Sequence, residues 1–394
     1  MSATRLELHP LTFVEERDGI MVGRSDTVSY ALLPADGVAL LRQLAGGMPV
    51  PDAADWYRTT FGEPVDMADF VATLYELKFV KADGEELAES PKVRFQALGR
   101  AAFSPMAWVC YLGTVVSCLL VMTAYPQLRP HPESIFFSPS FVVIQVVLAL
   151  LQLPAILWHE WFHVLAARRL GLPSRLSVSR RLYFFVFETE VNGLLGVPRG
   201  HRYLPFLAGM LADVLLLSGL TVAAAVDLTD GLSWLGRLCL AVAYTVLLRL
   251  AWQFYVFLRT DLYYVCTTAL GCTNLHEVTS AYLRDRFDWL PGVRPSRVDE
   301  ASWSPRDKQV APWFALLTVA GVGFLLATAL FMITPVLLEF AIRLGSTLAL
   351  GTTAGVPFWD SAVSLLIVAL ELVVLPLLAG RYSANRSRRL PASP

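Results

Sequence analysis

Six stretches of about 20 predominantly apolar residues, each long enough to cross the ~30 Å hydrocarbon core of a bilayer as a helix, dominate this 394-residue chain. They are residues 106–124, 138–158, 203–226, 238–258, 311–336 and 357–379. The second is uncharged and is predicted to continue as helix to about residue 170. The third is interrupted by Asp213 and the fourth by Arg249, while the last carries Asp360 at one end and Glu371 within it. Residues 335–351 are too short and mixed to span, and are expected to lie along the surface. Only 16% of the chain is charged, against roughly a quarter in soluble domains. That excludes a disordered chain, a coiled coil and an ordinary soluble enzyme.

Charge divides the chain in two. Residues 1–100 hold 16 acidic and 10 basic side chains, a net −6, whereas the remainder holds 17 acidic and 22 basic, a net +5. An acidic soluble head therefore precedes a basic apolar body. The N-terminus lacks the apolar core of a signal peptide, so the head is expected in the cytosol. Loop arginines agree with that orientation. Seven (Arg168, Arg169, Arg175, Arg180, Arg181, Arg199, Arg202) lie between the second and third spans and four (Arg381, Arg386, Arg388, Arg389) after the last. The opposite loops hold Arg129, Arg237 and Arg343. The chain is thus expected in a bacterial cell membrane with both termini in the cytosol. The five cysteines, all in the body and without paired spacing, read as small buried hydrophobes.

Between the second and third spans the pattern changes. Residues 176–190 are rich in Val, Tyr, Phe and Thr, and Asn192-Gly193 is a turn signal. Strands are predicted near 182–190 and 193–197, forming a hairpin that dips toward a water-filled site.

At the end of the second span stands His159-Glu160-Trp161-Phe162-His163. On a helix, positions i and i+4 share a face, so both imidazoles can hold one ion, with Glu160 placed beside its water as general base. With six His and 16 Glu in the chain, chance produces this pattern in about a few per thousand sequences. Ionisable groups at the edge of a span are costly and mark function. A catalytic zinc takes three protein ligands and keeps one position open. Among Asp213, Asp261, Asp360 and Glu371, Asp360 falls at the opposite face and Glu371 too deep. Asp261, directly after the fourth span, matches the histidines in depth, and Asp213 remains the alternative.

This motif, its continuation Val164-Leu165-Ala166-Ala167-Arg168-Arg169-Leu170-Gly171, the later Gly209-Met210-Leu211-Ala212-Asp213 and the segment Arg259-Thr260-Asp261-Leu262-Tyr263-Tyr264 resemble the site-2 protease family of membrane-embedded zinc metalloproteases. The resemblance covers about residues 139–275. It implies one zinc ion held by His159, His163 and Asp261, with Glu160 as base, and a β-hairpin that holds unwound substrate. No Gly follows Asp261, and Asp213 stands where the family often has Asn. The Asp-Leu-Tyr-Tyr form is similar to the branch of peptide zinc metalloproteases that accompany peptide-modification systems. Asp213, Asn192 and Arg259 are further candidates, as substrate contacts, an alternative ligand (Asp213) or an oxyanion partner (Arg259).

In the head, residues 11–14, 20–22 and 28–33 have strand character. Val38, Leu40, Leu41 and Leu44 then repeat at helical spacing, and helices follow over about 53–60 and 65–77 before a closing strand at Phe79-Val80. The order resembles the PqqD-like family, whose members bind leader peptides of ribosomally made, modified peptides by strand addition. A head of net charge −6 argues against nucleic acid as a partner. The expectation is a multi-pass α-helical membrane protein of six transmembrane helices with a site-2 protease-like core and hairpin. A small α+β winged-helix-like domain precedes it. Residues 1–90 form the recognition domain, 91–105 a linker, 106–380 the metalloprotease domain and 381–394 a basic tail. The expected activity is cleavage of a peptide or membrane-associated substrate at the cytosolic face, with a precursor peptide captured by residues 1–90. Rival readings are release of a membrane-anchored regulator and a peptide-binding exporter or immunity partner with an inert metal site.

Overall fold

The computed structural model describes residues 5–16, 19–24, 29–81, 85, 93–181, 184–191, 193–228, 231–286 and 303–387. The head opens with an antiparallel meander of β1 (Thr12–Glu16), β2 (Gly19–Arg24) and β3 (Ser29–Leu33), paired through Phe13↔Val22 and Val22↔Ala31. Helices α1 (Ala35–Ala45), α2 (Val50–Phe61) and α3 (Met67–Glu76) follow. Residues three and four apart on α1 (Val38, Leu41 and Leu44) share a face and pack with Val22, Ala53, Leu74 and Phe79 in one core. The Asp66 side chain caps α3 by accepting from the amides of Ala68 and Asp69. A bridge between Leu8 and Val80 closes the unit. These elements follow the sequence expectation closely.

Residues 91–105, expected as a linker, contain α4 (Gln96–Ala102), which lies against the end of the second long helix. A Cβ on Gly99 would come within 2.4 Å of the Leu165 carbonyl oxygen, so the absent side chain is what allows this approach.

Among the described residues, six helices are long and apolar enough to cross a membrane. They are α5 (Pro105–Ala124), α6 (Phe141–Arg169), α7 (Arg199–Val226), α8 (Trp234–Gln253), the continuous stretch Pro305–Ala349, and α13 (Val356–Ser387). Between α8 and that stretch lie α9 (Asp261–Leu270) and α10 (Leu275–Arg286). Helices α6, α7 and α8 form the packed centre, where small buried residues (Ala208, Gly209, Ala212 and Ala224 on α7; Ala241 and Ala243 on α8) let backbones approach.

Three boundaries differ from expectation. Helix α8 stops at Gln253, five residues before the apolar run ends, because the chain turns through a 3-10 segment, Val256–Leu258, and a left-handed Arg259 (φ 57°). The stretch 335–351 is not a separate segment. Helix α11 (Pro305–Thr328) passes through a π-helical turn, Ala329–Ile333, into α12 (Thr334–Ala349), with Pro335 just after the π turn. Leu344 of α12 is buried, in one cluster with Phe137, Phe141 and Leu238. Finally, the hairpin pairs β4 (Ser174–Arg181) with β5 (Phe184–Val191), with Ser174 opposite Val191 and Arg181 opposite Phe184. The expected turn lies elsewhere. Gly193 (φ 86°) instead opens a 3-10 turn, Leu194–Gly196, leading to α7.

The head sits on that turn. Gly196 faces Thr12 and Tyr30 of the sheet, and Glu16 forms ion pairs with Arg199 and Arg202, the latter at 2.6 Å. At the other end of α6, Asp360 of α13 accepts hydrogen bonds from the amides of Phe141 (2.7 Å) and Val142 and from the Ser140 hydroxyl. It thus caps α6 from a neighbouring helix. Removing such a cap costs about 1 kcal/mol, so Asp360→Ala is expected to lower the thermal unfolding midpoint in detergent, while Asp360→Asn retains most of it. An Asp360→Ala protein that unfolds with the wild type would contradict this role.

Candidate metal centre

Because α6 continues past the apolar run, it carries His159, Glu160 and His163 together, all buried, on the part of the helix that faces α7 and the hairpin. One ligand atom from each lies within 4.8 Å of the others, so the group could hold a metal ion. The Nε2 atoms of His159 and His163 are 3.2 Å apart. Asp261 Oδ2 lies 3.2 Å from the first and 3.3 Å from the second. Metal–ligand bonds of about 2.0–2.1 Å at tetrahedral angles set donor atoms about 3.3 Å apart, so this triangle has the size of one face of such a site. Asp261 Oδ2 is buried and makes no hydrogen bond, leaving it free to take a cation.

Each imidazole is held by its other nitrogen. His163 Nδ1 donates to the Pro205 carbonyl oxygen (2.7 Å), and His159 Nδ1 to Asp213 Oδ2 (2.9 Å). Both rings thereby turn Nε2 toward Asp261. Asp213 is fully buried and meets His159 at the nitrogen remote from the triangle, so the two acidic candidates occupy different places: Asp261 at the Nε2 atoms, Asp213 behind. Arg249 of α8 reaches Asp213 through Nε and Nη2, the latter 2.5 Å from Oδ1.

The break after α8 places Asp261. The Gln253 side chain accepts from the Asp261 amide (3.1 Å), and Thr260 donates its hydroxyl to the Gln253 backbone carbonyl. Glu160 receives a hydrogen bond from Thr189 of β5 at 2.8 Å and lines a groove of about 630 Å³ along α6, walled by Leu157, Trp158, Trp161 and Val164. A carboxylate thus stands between a polar three-atom site and an apolar cleft.

The other candidates lie apart. Arg259 is exposed, Glu371 is exposed on α13, and Asp360 is engaged in its cap. Asn192 lies outside the described residues. Sequence reasoning missed four contributors: Arg249, visible only as a charge within a span; Thr189; Gln253; and the steric role of Gly209. No family model, characterised protein or solved structure matches the chain.

A Cβ on Gly209 would fall 2.3 Å from both Nε2 atoms. Gly209→Ala is therefore expected to weaken divalent-ion retention by at least about tenfold, as other changes around a metal's ligands do. Gly219→Ala, where an added methyl meets nothing within 4 Å, should leave it unchanged. Metal analysis of the purified variants checks both.

Proposed function

We propose that the protein is a membrane-embedded zinc metalloprotease. The observation that carries the reading is the triangle of His159 Nε2, His163 Nε2 and Asp261 Oδ2, with edges of 3.2–3.3 Å, next to a carboxylate that is not one of its corners. Formal charge supports it. Glu160, Asp213 and Asp261 bring three negative charges and Arg249 one positive, so with neutral imidazoles the cluster is two positive charges short in surroundings that penalise uncompensated charge. A divalent ion supplies them, and two nitrogens plus one carboxylate oxygen form a donor set that suits zinc.

His159, His163 and Asp261 would hold the ion, which acidifies a water and polarises the scissile carbonyl when bound. Glu160 accepts the proton of the attacking water and returns it to the leaving amine. Thr189 orients that carboxylate through its 2.8 Å hydrogen bond, which also ties the hairpin to the catalytic helix. The apolar groove beside Glu160 takes the side chains flanking the bond.

The charge bias of the loops supports a reading in which both termini and the site face the cytosol. The head, of winged-helix-like order, would capture the substrate, most simply the leader of a ribosomally made precursor peptide, by strand addition. Its seat on the turn after β5, through Glu16 with Arg199 and Arg202, keeps a captured peptide near the groove and raises its effective concentration there.

Two measurements test this. Detergent-purified wild type is expected to hold about one zinc per chain, Asp261→Ala to lose it and Glu160→Gln to keep it. In cells, profiling of protein N-termini should reveal new ends with wild type that are lost, by about 100-fold or more, with Glu160→Gln. A wild type unable to take up zinc, or cleavage unaffected by Glu160→Gln, would overturn the reading. A substrate with its own spanning helix would identify release of a membrane-anchored regulator instead.

A further inference from the structure

Arg249 lies in the last third of α8, one turn before its end at Gln253, among residues otherwise suited to a bilayer, and it is drawn inward to Asp213. Its Nε lies 3.0 and 3.1 Å from the two Asp213 oxygens, and Nη2 2.5 Å from Oδ1. Nη2 also donates to the Ala155 carbonyl at 3.3 Å, one turn before His159 on α6. The contacts close a ring through three helices: His159 on α6, Asp213 on α7, Arg249 on α8, and back to α6 at Ala155. Gln152 and Thr245, in contact at 2.5 Å, join α6 and α8 one turn away, so the guanidinium sits in a fixed frame.

Resting on the zinc reading of the site, we propose that Arg249 is a positioning residue for the metal centre. It clamps the Asp213 carboxylate against Nδ1 of His159, keeps that imidazole with Nε2 turned toward the ion, and cancels one carboxylate charge in the apolar interior. The forked contact matters as well as the charge, since a planar guanidinium grips both carboxylate oxygens where an ammonium grips one point. Without Arg249, Asp213 is a buried anion with a single partner, and breaking such a pair is more damaging than replacing both members together. Arg249 touches neither the ion's ligand atoms nor the groove, so its effect must travel through Asp213.

The test uses full-length protein in detergent. Zinc affinity is measured by competition with a chelator, and ligand geometry by the visible spectrum of the cobalt(II)-substituted protein. Arg249→Leu is expected to weaken zinc binding by about 10-fold to 100-fold and to alter the cobalt spectrum. Arg249→Lys should recover part of the affinity. The double variant Arg249→Leu with Asp213→Asn, which removes both charges while keeping an acceptor for His159 Nδ1, should recover more than Arg249→Leu alone. This recovery keeps the test decisive if the single variant folds poorly. Zinc affinity and cobalt spectrum like wild type in Arg249→Leu would overturn the proposal and leave the metal site standing. Loss in the double variant as deep as in the single would also overturn it. A wild type that binds neither zinc nor cobalt would overturn the zinc reading itself.

Discussion

Ionised groups among membrane-spanning helices must find their counter-charges inside the protein, because the bilayer offers none. Here the ionised groups gather in one connected cluster. Asp213 is answered by Arg249 and by the Nδ1 hydrogen of His159, whereas Asp261 and Glu160 face a space bounded by the two Nε2 atoms. Every element at the centre of the body contributes to this cluster. Helix α6 carries the motif, α7 brings Asp213 and the Pro205 carbonyl, α8 brings Arg249, and the broken segment after α8 brings Asp261.

Close packing makes the cluster possible. The α6–α7 contact admits no side chain at Gly209, where a methyl would collide with both imidazoles, and the neighbouring Ala208 and Ala212 are fully buried. The break after α8 is the other necessary departure from regularity. A straight continuation of α8 would have carried Asp261 onward along its axis. The 3-10 turn, the left-handed Arg259 and the Gln253 hydrogen bond return it to the histidines while leaving backbone groups paired. Irregular backbone at this depth is tolerable where protein surrounds it.

Much of this was legible in the sequence, for physical reasons that also mark where reading stopped. The spans and the head helices are local periodic patterns, and the i, i+4 spacing of His159 and His163 is a property of one helix. Depth along the spans favoured Asp261 and left Asp213 as the alternative. Distinguishing its place from that of Asp213 required the rotational setting of α7 against α6, which no local pattern encodes. Arg249 showed as a charge within a span, but its partner lies 36 residues away on another helix. The hairpin failed in register: Asn192-Gly193 is a strong local turn signal, yet the strands pair over 174–191 with Arg181 opposite Phe184. Thr189 went unseen with it, since its contact with Glu160 depends on that register.

The central claim is that two imidazole nitrogens and one carboxylate oxygen form three corners of a metal site. X-ray absorption spectroscopy of the zinc-loaded full-length protein addresses it most directly. The expected spectrum shows only nitrogen and oxygen neighbours at about 2.0–2.1 Å, with outer-shell scattering from two imidazoles and loss of one oxygen contribution or of the metal in Asp261→Ala. A sulfur neighbour at about 2.3 Å, or scattering from fewer than two imidazoles, would contradict it.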